Sequence, residues 1–339
     1  MGMKQYQLSN PTRQKDNPHV PASYKQQACT CVNPTGRNLV ICIDGTLNQF
    51  NEKNSNVVEL YSLLVKNQDQ LTYYNSGIGT YVKDSNGLSS WLSLDSWSQW
   101  GSQTMDIMIA WNLKARILDA YQWLAENYVD GDRIFLFGFS RGAYQVRVIA
   151  GMLHRVGLLH KGNKEQIPFA YELYMKSAAD DRLCVHFRNI FSRPRVRAHF
   201  IGAWDTVSSV GLFQGTRLPE TSNGMKHVCA FRHALALDER RVKFLPEYAN
   251  DGAAPQGENV KEVWFAGSHS DMYAGTLFGP ALRWMTHEAA YFGLRLHPHK
   301  GEFGRIPLHL SMGWFWRVAE YIPFLTPRTS YNSLSRFQR

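Results

Sequence analysis

The sequence has few cysteines and no long apolar run. Five cysteines in 339 residues are too few and too scattered for a disulfide framework. No apolar stretch approaches the roughly 20 residues that a transmembrane helix needs. The first residues also lack the apolar core of a signal peptide. We therefore expect a reduced, cytoplasmic protein.

Motifs for nucleic acids, nucleotides and metals are missing as well. The net charge of +9 suits an anionic partner, but no block of Lys and Arg and no nucleic-acid motif accompanies it. Cys29 and Cys31 have no second cysteine pair, and His297 and His299 have no third ligand at a metal-site spacing. We expect no nucleic-acid partner, no metal and no cofactor. The charge leaves open a peripheral contact with an anionic membrane surface.

The length allows two domains, but one large α/β domain with insertions, over residues 37–325, fits equally well. A flexible lead-in over 1–36, rich in Gln, Asn, Pro and Lys, precedes it, and a tail over 326–339 follows. Two insertions interrupt the domain. The insertion at 83–105 is rich in Ser and Trp, and is either a surface loop pinned by its tryptophans or an apolar lid over the site. The insertion at 158–196 is mixed and basic, and is expected to pack above the sheet.

Apolar runs alternate with amphipathic stretches along this domain. The runs predict buried strands at 39–43, 71–74, 134–137, 198–204 and 260–266. A period of three to four residues predicts helices at 57–65, 113–128, 143–153, 233–239 and 282–292. The expected fold is α/β and α/β-hydrolase-like: a mostly parallel central sheet, helices on both faces, and insertions above the C-terminal strand ends.

The segment around Ser140 combines a strand, a sharp turn and a helix. Ile134–Phe137 is an apolar run, Gly138-Phe139-Ser140-Arg141-Gly142 follows, and the helical period then begins. This order is typical of a turn that exposes a nucleophilic serine at the end of a strand. The flanking glycines are expected because side chains there would collide with neighbouring elements.

Two further polar residues follow predicted strands and complete a candidate triad. Ser140, Asp205 and His269 stand at the carboxyl ends of three successive predicted strands, in the Ser-acid-His order expected of α/β-hydrolases. His269 would act as the base and Asp205 would orient it. Asp205 could instead cap a helix, with Asp238 as the alternative acid. The alternative bases are His233 and His287.

Backbone amides near Ser140 are candidates for an oxyanion hole. The amide of Arg141 is one donor, and Gly45 or Thr46, at the end of the first strand, would supply the other. Asp44-Gly45-Thr46 also matches the end of the D-x-D-G-T phosphatase motif. Phosphatase chemistry is excluded because Cys42 stands where the nucleophilic Asp would be.

Several spaced motifs together resemble one family. The motifs are Asp44-Gly45-Thr46, Gly138–Ala143, Trp204–Val207, His233–Arg240 and Glu262–Asp271. In this order they are similar to the type VI secretion lipase effector family, a serine-hydrolase domain of bacteria and fungi. The resemblance spans about residues 37 to 325 and implies an α/β-hydrolase core with phospholipase activity, whose catalytic residues fall on Ser140, Asp205 and His269. Met272 and Tyr273 depart from the small, glycine-rich stretch that the family has there.

The expected function is that of a serine hydrolase. It would cleave an acyl ester of a phospholipid through a Ser-His-Asp triad and an acyl-serine intermediate. An amidase or thioesterase would use the same triad on another substrate. The alternative of another class is a catalytically impaired protein that acts as a lipid-binding or interaction module, which the Met272-Tyr273 departure favours. Trp314, Phe315 and Trp316 would either meet lipid or pack in the core.

Overall fold

The structure is a computed structural model that describes most of the predicted domain. The described residues are 36–45, 54–76, 102–176, 181–193, 195–207, 218–241, 246–253, 259–269 and 279–299. Almost all of the lead-in, most of the 83–105 insertion, the aromatic cluster at 314–316 and the tail lie outside them. The predictions made for those segments stay predictions.

Eight strands lie within the described residues. They are β1 (Asn38–Ile43), β2 (Gln70–Asn75), β3 (Arg133–Phe139), β4 (Leu158–Leu159), β5 (Ser192–Arg193), β6 (Ala198–Trp204), β7 (Ala230–Ala236) and β8 (Val260–Phe265). Six of them form a sheet in the order β2-β1-β3-β6-β7-β8, in which every neighbouring pair is parallel. Strands β4 and β5 form a separate antiparallel pair.

Six α-helices lie within the same residues. They are α1 (Asn56–Leu63), α2 (Ser102–Asn127), α3 (Arg141–Arg155), α4 (Ile167–Met175), α5 (Asp181–Phe191) and α6 (Pro280–Tyr291). Helices α1 and α6 cover one face of the sheet, and α2 and α3 cover the other. The described residues thus confirm the predicted α/β class, with a parallel sheet between two helical layers.

The two layers explain why the central strands are continuously apolar. In β1, Leu39, Ile41 and Ile43 pack in the core under α2 and α3, whereas Val40 and Cys42 pack in the core under α1 and α6. All five are fully buried. Successive side chains of a strand point to opposite faces, so a strand covered on both sides must be apolar throughout.

The predicted insertion at 158–196 packs on one helical layer. Its helix α4 contacts α2 and α3, and its helix α5 contacts α3 and α4. Tyr121 of α2 donates a hydrogen bond from its hydroxyl to the carbonyl of Gly157, at the start of this segment. The helices of this segment therefore pack on α2 and α3.

The prediction of a helix at 233–239 is wrong, because Ala230–Ala236 is the fifth strand of the sheet, β7. Every residue of β7 is buried, and the strand pairs with β6 on one side and β8 on the other. Alanine and leucine favour helix in isolation, but pairing on both edges and burial on both faces override this local preference.

The described residues also bear on membrane insertion and on the state of the cysteines. None of the helices in the described residues combines the length and the apolar character that a membrane span requires. Cys42 and Cys184 are free and buried, but Cys229 is disulfide-bonded. The expectation of a fully reduced chain is therefore wrong at Cys229.

We predict that the protein loses stability in mild acid, because two of its histidines are buried. Burial lowers the pKa of His199 to about 4 and that of His227 to about 3. Below about pH 6.5 the unfolded chain binds protons that these folded rings do not, so stability falls as the pH is lowered. Each ring contributes at most about 1.4 kcal/mol per pH unit. Urea unfolding at several pH values between about 6.5 and 5 measures this slope, and His227→Gln should flatten it. An unchanged slope in that variant would contradict the assignment.

Candidate active site

The candidate site lies where the strand order of the sheet changes direction. From β1 the chain goes outward to β2, and then crosses back to β3 on the other side of β1. In open parallel sheets the crevice at such a switch point, at the carboxyl ends of the strands, is where ligands bind. Gly45 follows β1 and Ser140 follows β3, so both stand beside this crevice.

Ser140 occupies a strained turn between β3 and α3. Its backbone has φ 56° and ψ −122°, a conformation that non-glycine residues rarely adopt. A Cβ on Gly138 would lie 2.5 Å from the backbone of Gly142, and a Cβ on Gly142 would lie 2.2 Å from the carbonyl oxygen of Ile43. The two glycines of the motif are therefore required by close backbone approach.

The structure brings the three residues of the candidate triad together. The Nε2 atom of His269 lies 2.9 Å from the Ser140 hydroxyl oxygen, and its Nδ1 atom lies 2.5 Å from Oδ2 of Asp205. All three side chains are buried. They come from the ends of β3, β6 and β8, so the prediction of three successive strands is corrected: β7 lies between the strands that carry Asp205 and His269.

The carboxylate of Asp205 is held on two sides. Its Oδ2 faces His269, while its Oδ1 accepts a hydrogen bond from the amide of Ala236 at 3.1 Å. The backbone amide of Asp205 donates to the carbonyl of Ala234 at 2.8 Å. Asp205 thus contacts His269 through one carboxylate oxygen, and β7 supplies both of its backbone contacts.

Two other carboxylates hold the backbone around His269. Asp238, the alternative acid, accepts a hydrogen bond from the amide of Gly267 at 2.7 Å. Glu239 accepts one from the amide of His269 at 3.1 Å and is itself paired with Arg241. These anchoring contacts were not predicted from the sequence. The signal available was the motif His233–Arg240, whose acidic pair closely follows β7.

The ring of His269 stacks on an aromatic side chain from the serine turn. Its centroid lies 4.8 Å from that of Phe139, with 26° between the ring planes. The alternative bases lie elsewhere: His233 is fully buried within β7 and contacts Thr206 and Glu262, and His287 is exposed on α6. Of the three candidate histidines, His269 is the one whose ring meets the Ser140 hydroxyl.

The candidate oxyanion donors differ in their surroundings. Arg141 is the first residue of α3, so its amide lies at the positive end of the helix dipole. The amide of Gly45 already donates to Oδ1 of Asp44 at 2.7 Å, and Thr46 lies outside the described residues. Burial also lowers the pKa of the Arg141 guanidinium to about 10. The role of these amides stays a prediction.

The buried carboxylate of Asp44 fixes the end of β1. Its Oδ2 accepts hydrogen bonds from the hydroxyls of Ser55 at 2.8 Å and Tyr74 at 3.2 Å. Burial, with the nearby Asp44 carboxylate, raises the pKa of Tyr74, so its hydroxyl stays protonated and donates. Asp44 therefore has structural contacts, in place of the phosphatase chemistry excluded above.

The arrangement suits proton transfer and nucleophilic attack. An imidazole between a hydroxyl and a carboxylate can take the hydroxyl proton while the carboxylate stabilises the resulting charge. No group of three or more His, Cys, Asp or Glu side chains in the described part of the chain is arranged to hold a metal ion. Met272 and Tyr273, where the sequence departs from the family pattern, lie outside the described residues.

The chain matches the model of a known family and one curated yeast protein. Residues 37–288 match the model of the family described as "T6SS, Phospholipase effector Tle1-like, catalytic domain". The chain is 37% identical over 234 residues to the uncharacterized protein YEL023C of Saccharomyces cerevisiae, a match that covers 63% of this chain and 33% of the yeast protein. The chain thus spans about a third of the length of this relative.

Two solved structures share weaker similarity with the chain. One is the Tle1 effector bound to the VgrG spike from the type 6 secretion system, at 20% identity and a TM-score of 0.36, covering 71% of this chain and 51% of that one. The other is Thermogutta terrifontis esterase 2 phosphonylated by cyclosarin, at 12% identity and a TM-score of 0.35, covering 79% of this chain and 88% of that one.

Proposed function

Because the chain belongs to the family of Tle1-like phospholipase effector catalytic domains of the type VI secretion system, we propose that it is a serine hydrolase that cleaves acyl esters. Ser140 is the nucleophile, His269 the general base and acid, and Asp205 the residue that orients His269. The observation that carries the proposal is the continuous hydrogen-bonded path from the Ser140 hydroxyl through His269 to Asp205.

The proposed reaction has two halves. In the first, the Ser140 oxygen attacks the ester carbonyl carbon while Nε2 of His269 takes the hydroxyl proton. The tetrahedral oxyanion that forms accepts hydrogen bonds from the amide of Arg141 and from an amide at the end of β1. When the intermediate collapses, the ester C–O bond breaks, the leaving alcohol takes the proton from His269, and an acyl-serine remains.

In the second half, water takes the place of the alcohol. His269 removes a proton from the water, the resulting hydroxide attacks the acyl carbon, and a second tetrahedral intermediate forms at the same amides. Its collapse breaks the bond to the Ser140 oxygen, which recovers the proton from His269. The carboxylic acid leaves and the free enzyme is restored, so the cycle uses neither a metal nor an organic cofactor.

The proposed substrate class is a phospholipid acyl ester. Support comes from the family, whose description names a phospholipase, and from the net charge of +9, which favours approach to an anionic lipid surface. Contact with a membrane surface and the cytoplasmic location remain predictions. An amidase or thioesterase would share the triad and differ in which substrate it turns over.

Covalent labelling tests the nucleophile directly. A fluorophosphonate probe is expected to form a 1:1 adduct, and peptide mass spectrometry should place the adduct on Ser140, because only an activated serine reacts at an appreciable rate. Ser62, an exposed serine on α1, provides the internal control and should stay unmodified. An adduct on any serine other than Ser140 would exclude the proposed mechanism.

A turnover screen tests the substrate class. Purified protein is incubated with phospholipid vesicles, lysophospholipids, p-nitrophenyl esters, thioesters and amides, and free acid is measured. Release of fatty acid from vesicles is the expected result. Vesicle binding in a flotation assay without hydrolysis of any of these compounds would instead favour the non-catalytic lipid-binding alternative.

A further inference from the structure

His233 lies in the middle of β7, a strand that carries no residue of the candidate triad. Its side chain is fully buried. The sheet register pairs His233 with Glu262 on β8 and with Ala203 on β6. Residues in register on neighbouring strands point to the same face, so the ring lies between Glu262 and the end of β6, where Asp205 follows.

The two ring nitrogens of His233 have different partners. Its Nε2 lies 3.1 Å from the backbone amide of Thr206, and its Nδ1 lies 2.9 Å from Oε1 of Glu262. A backbone N–H can only donate, so Nε2 must be unprotonated, and Nδ1 carries the proton that is donated to Glu262. Burial lowers the pKa of His233, which keeps the ring neutral. Glu262 thus selects the tautomer that can accept from Thr206.

Thr206, the residue after Asp205, is held through both of its backbone polar groups. The amide of Thr206 donates to His233, and its carbonyl accepts from the amide of Glu247 at 2.8 Å. The carboxylate of Glu262 also accepts from the amide of Ala249 at 2.9 Å, so it holds that segment too. The buried Thr206 hydroxyl has no hydrogen-bond partner within the described residues, so the polar contacts of Thr206 there are made by its backbone.

The backbone of Asp205, just before Thr206, is strained. Asp205 has φ 43°, in the left-handed region, which costs a non-glycine residue about 1–3 kcal/mol and persists only where surrounding contacts impose it. We propose that His233, held in one tautomer by Glu262, is a positioning residue that fixes the Asp205–Thr206 peptide and thereby aims the Asp205 carboxylate at His269. This inference rests on the proposed Ser140–His269–Asp205 mechanism.

A matched pair of substitutions separates this role from simple core filling. In His233→Asn the shorter amide can still donate to Glu262 but cannot reach the amide of Thr206, whereas in His233→Gln the side-chain oxygen can. We expect His233→Asn to lower kcat by about 30–100-fold with KM changed less than about threefold, since a small misplacement of a catalytic group has effects of this size. His233→Gln should recover most of the loss.

A double-mutant cycle tests whether His233 acts through Asp205. In the Asp205→Ala background, His233→Asn should lower kcat by less than about twofold further, because the group it positions is gone. A loss of the same factor in both backgrounds would overturn the proposal, and so would equal kcat values for the Asn and Gln variants. Urea unfolding of each variant verifies that folded protein is being compared.

Proton NMR reports on the hydrogen bond between His269 and Asp205 without any substrate. The low-field resonance of the proton between His269 and Asp205 should be present in the wild type, absent in Asp205→Ala, and shifted or broadened in His233→Asn. If it responds in this way but no ester is hydrolysed, the proposed function fails and the positioning role stands. If hydrolysis depends on Ser140 while His233→Asn changes neither kcat nor the resonance, the positioning role fails and the proposed function stands.

Discussion

Replacing Ser140 by alanine is expected to lower the kcat of ester hydrolysis by at least about 10⁵-fold, because the triad acts as a unit and loses its covalent step when the nucleophile is removed. The fold should persist, since the change deletes one hydroxyl whose partner is the His269 ring. The measurement is fatty-acid release over extended incubation, with fluorophosphonate labelling in parallel. Residual turnover within tenfold of the wild type would remove Ser140 from the mechanism.

Ser140→Gly serves as the matched control for this variant. Both substitutions remove the hydroxyl, so both should abolish turnover. Only glycine relieves the backbone strain of φ 56°, and the Gly variant should therefore be about 1 kcal/mol more stable than the Ala variant in urea unfolding. Equal stabilities would indicate that the turn is not strained in solution. A Gly variant that is more stable than the Ala variant would show that the backbone conformation at Ser140 costs stability.

The secondary structure of residues that are close together in the sequence was predictable from local patterns. The apolar run Ile134–Phe137, the turn around Ser140 and the helical period after it correspond to β3, its turn and α3. Asp205 and His269 follow strands at the positions expected from their apolar runs. Parallel strands bring their carboxyl ends to one edge, so chain order alone was enough to predict which edge carries the polar residues.

The contacts that hold those residues were not predictable from local pattern. The helix predicted at 233–239 is β7, and its strand conformation depends on pairing with β6 and β8. Consequently the position of His233 beside Glu262 could not be inferred, because it requires the register between two strands whose paired residues are 29 positions apart in the chain. Asp238 was considered as a catalytic acid, but its bond to the amide of Gly267 depends on the same register.

The strands around the site are therefore of two kinds. Strands β3, β6 and β8 each end in one residue of the candidate triad, and β7 ends in none. Instead, β7 and the turn after it contact the segments that carry the candidate triad: His233 bonds to the peptide after Asp205, Ala236 to the Asp205 carboxylate, and Glu239 to the amide of His269. A strand without a residue of the candidate triad thus contacts both of the loops on its flanks that carry one.

Gly142→Ala is expected to have the largest effect on stability, with a loss of at least about 3 kcal/mol in the free energy of unfolding. The new Cβ would lie 2.2 Å from the carbonyl oxygen of Ile43 and 2.5 Å from that of Asp44. Both are backbone atoms, so no side-chain rotation relieves the overlap, and β1 must separate from the first turn of α3. Urea unfolding followed by circular dichroism measures the loss.

The same separation should also reduce activity in whatever fraction of Gly142→Ala remains folded. The amide of Arg141 and the end of β1, the proposed oxyanion donors, lie on opposite sides of this contact, and misplacing such donors costs about 10²–10³ in kcat. Gly162→Ala is the control: Gly162 has φ +92°, and no atom lies within 4 Å of the position that an alanine Cβ would take there. It should therefore lose only about 1 kcal/mol, from backbone strain, and keep full activity. If both variants lose the same stability and retain activity, the close approach of β1 to α3 is not needed to place the proposed oxyanion donors.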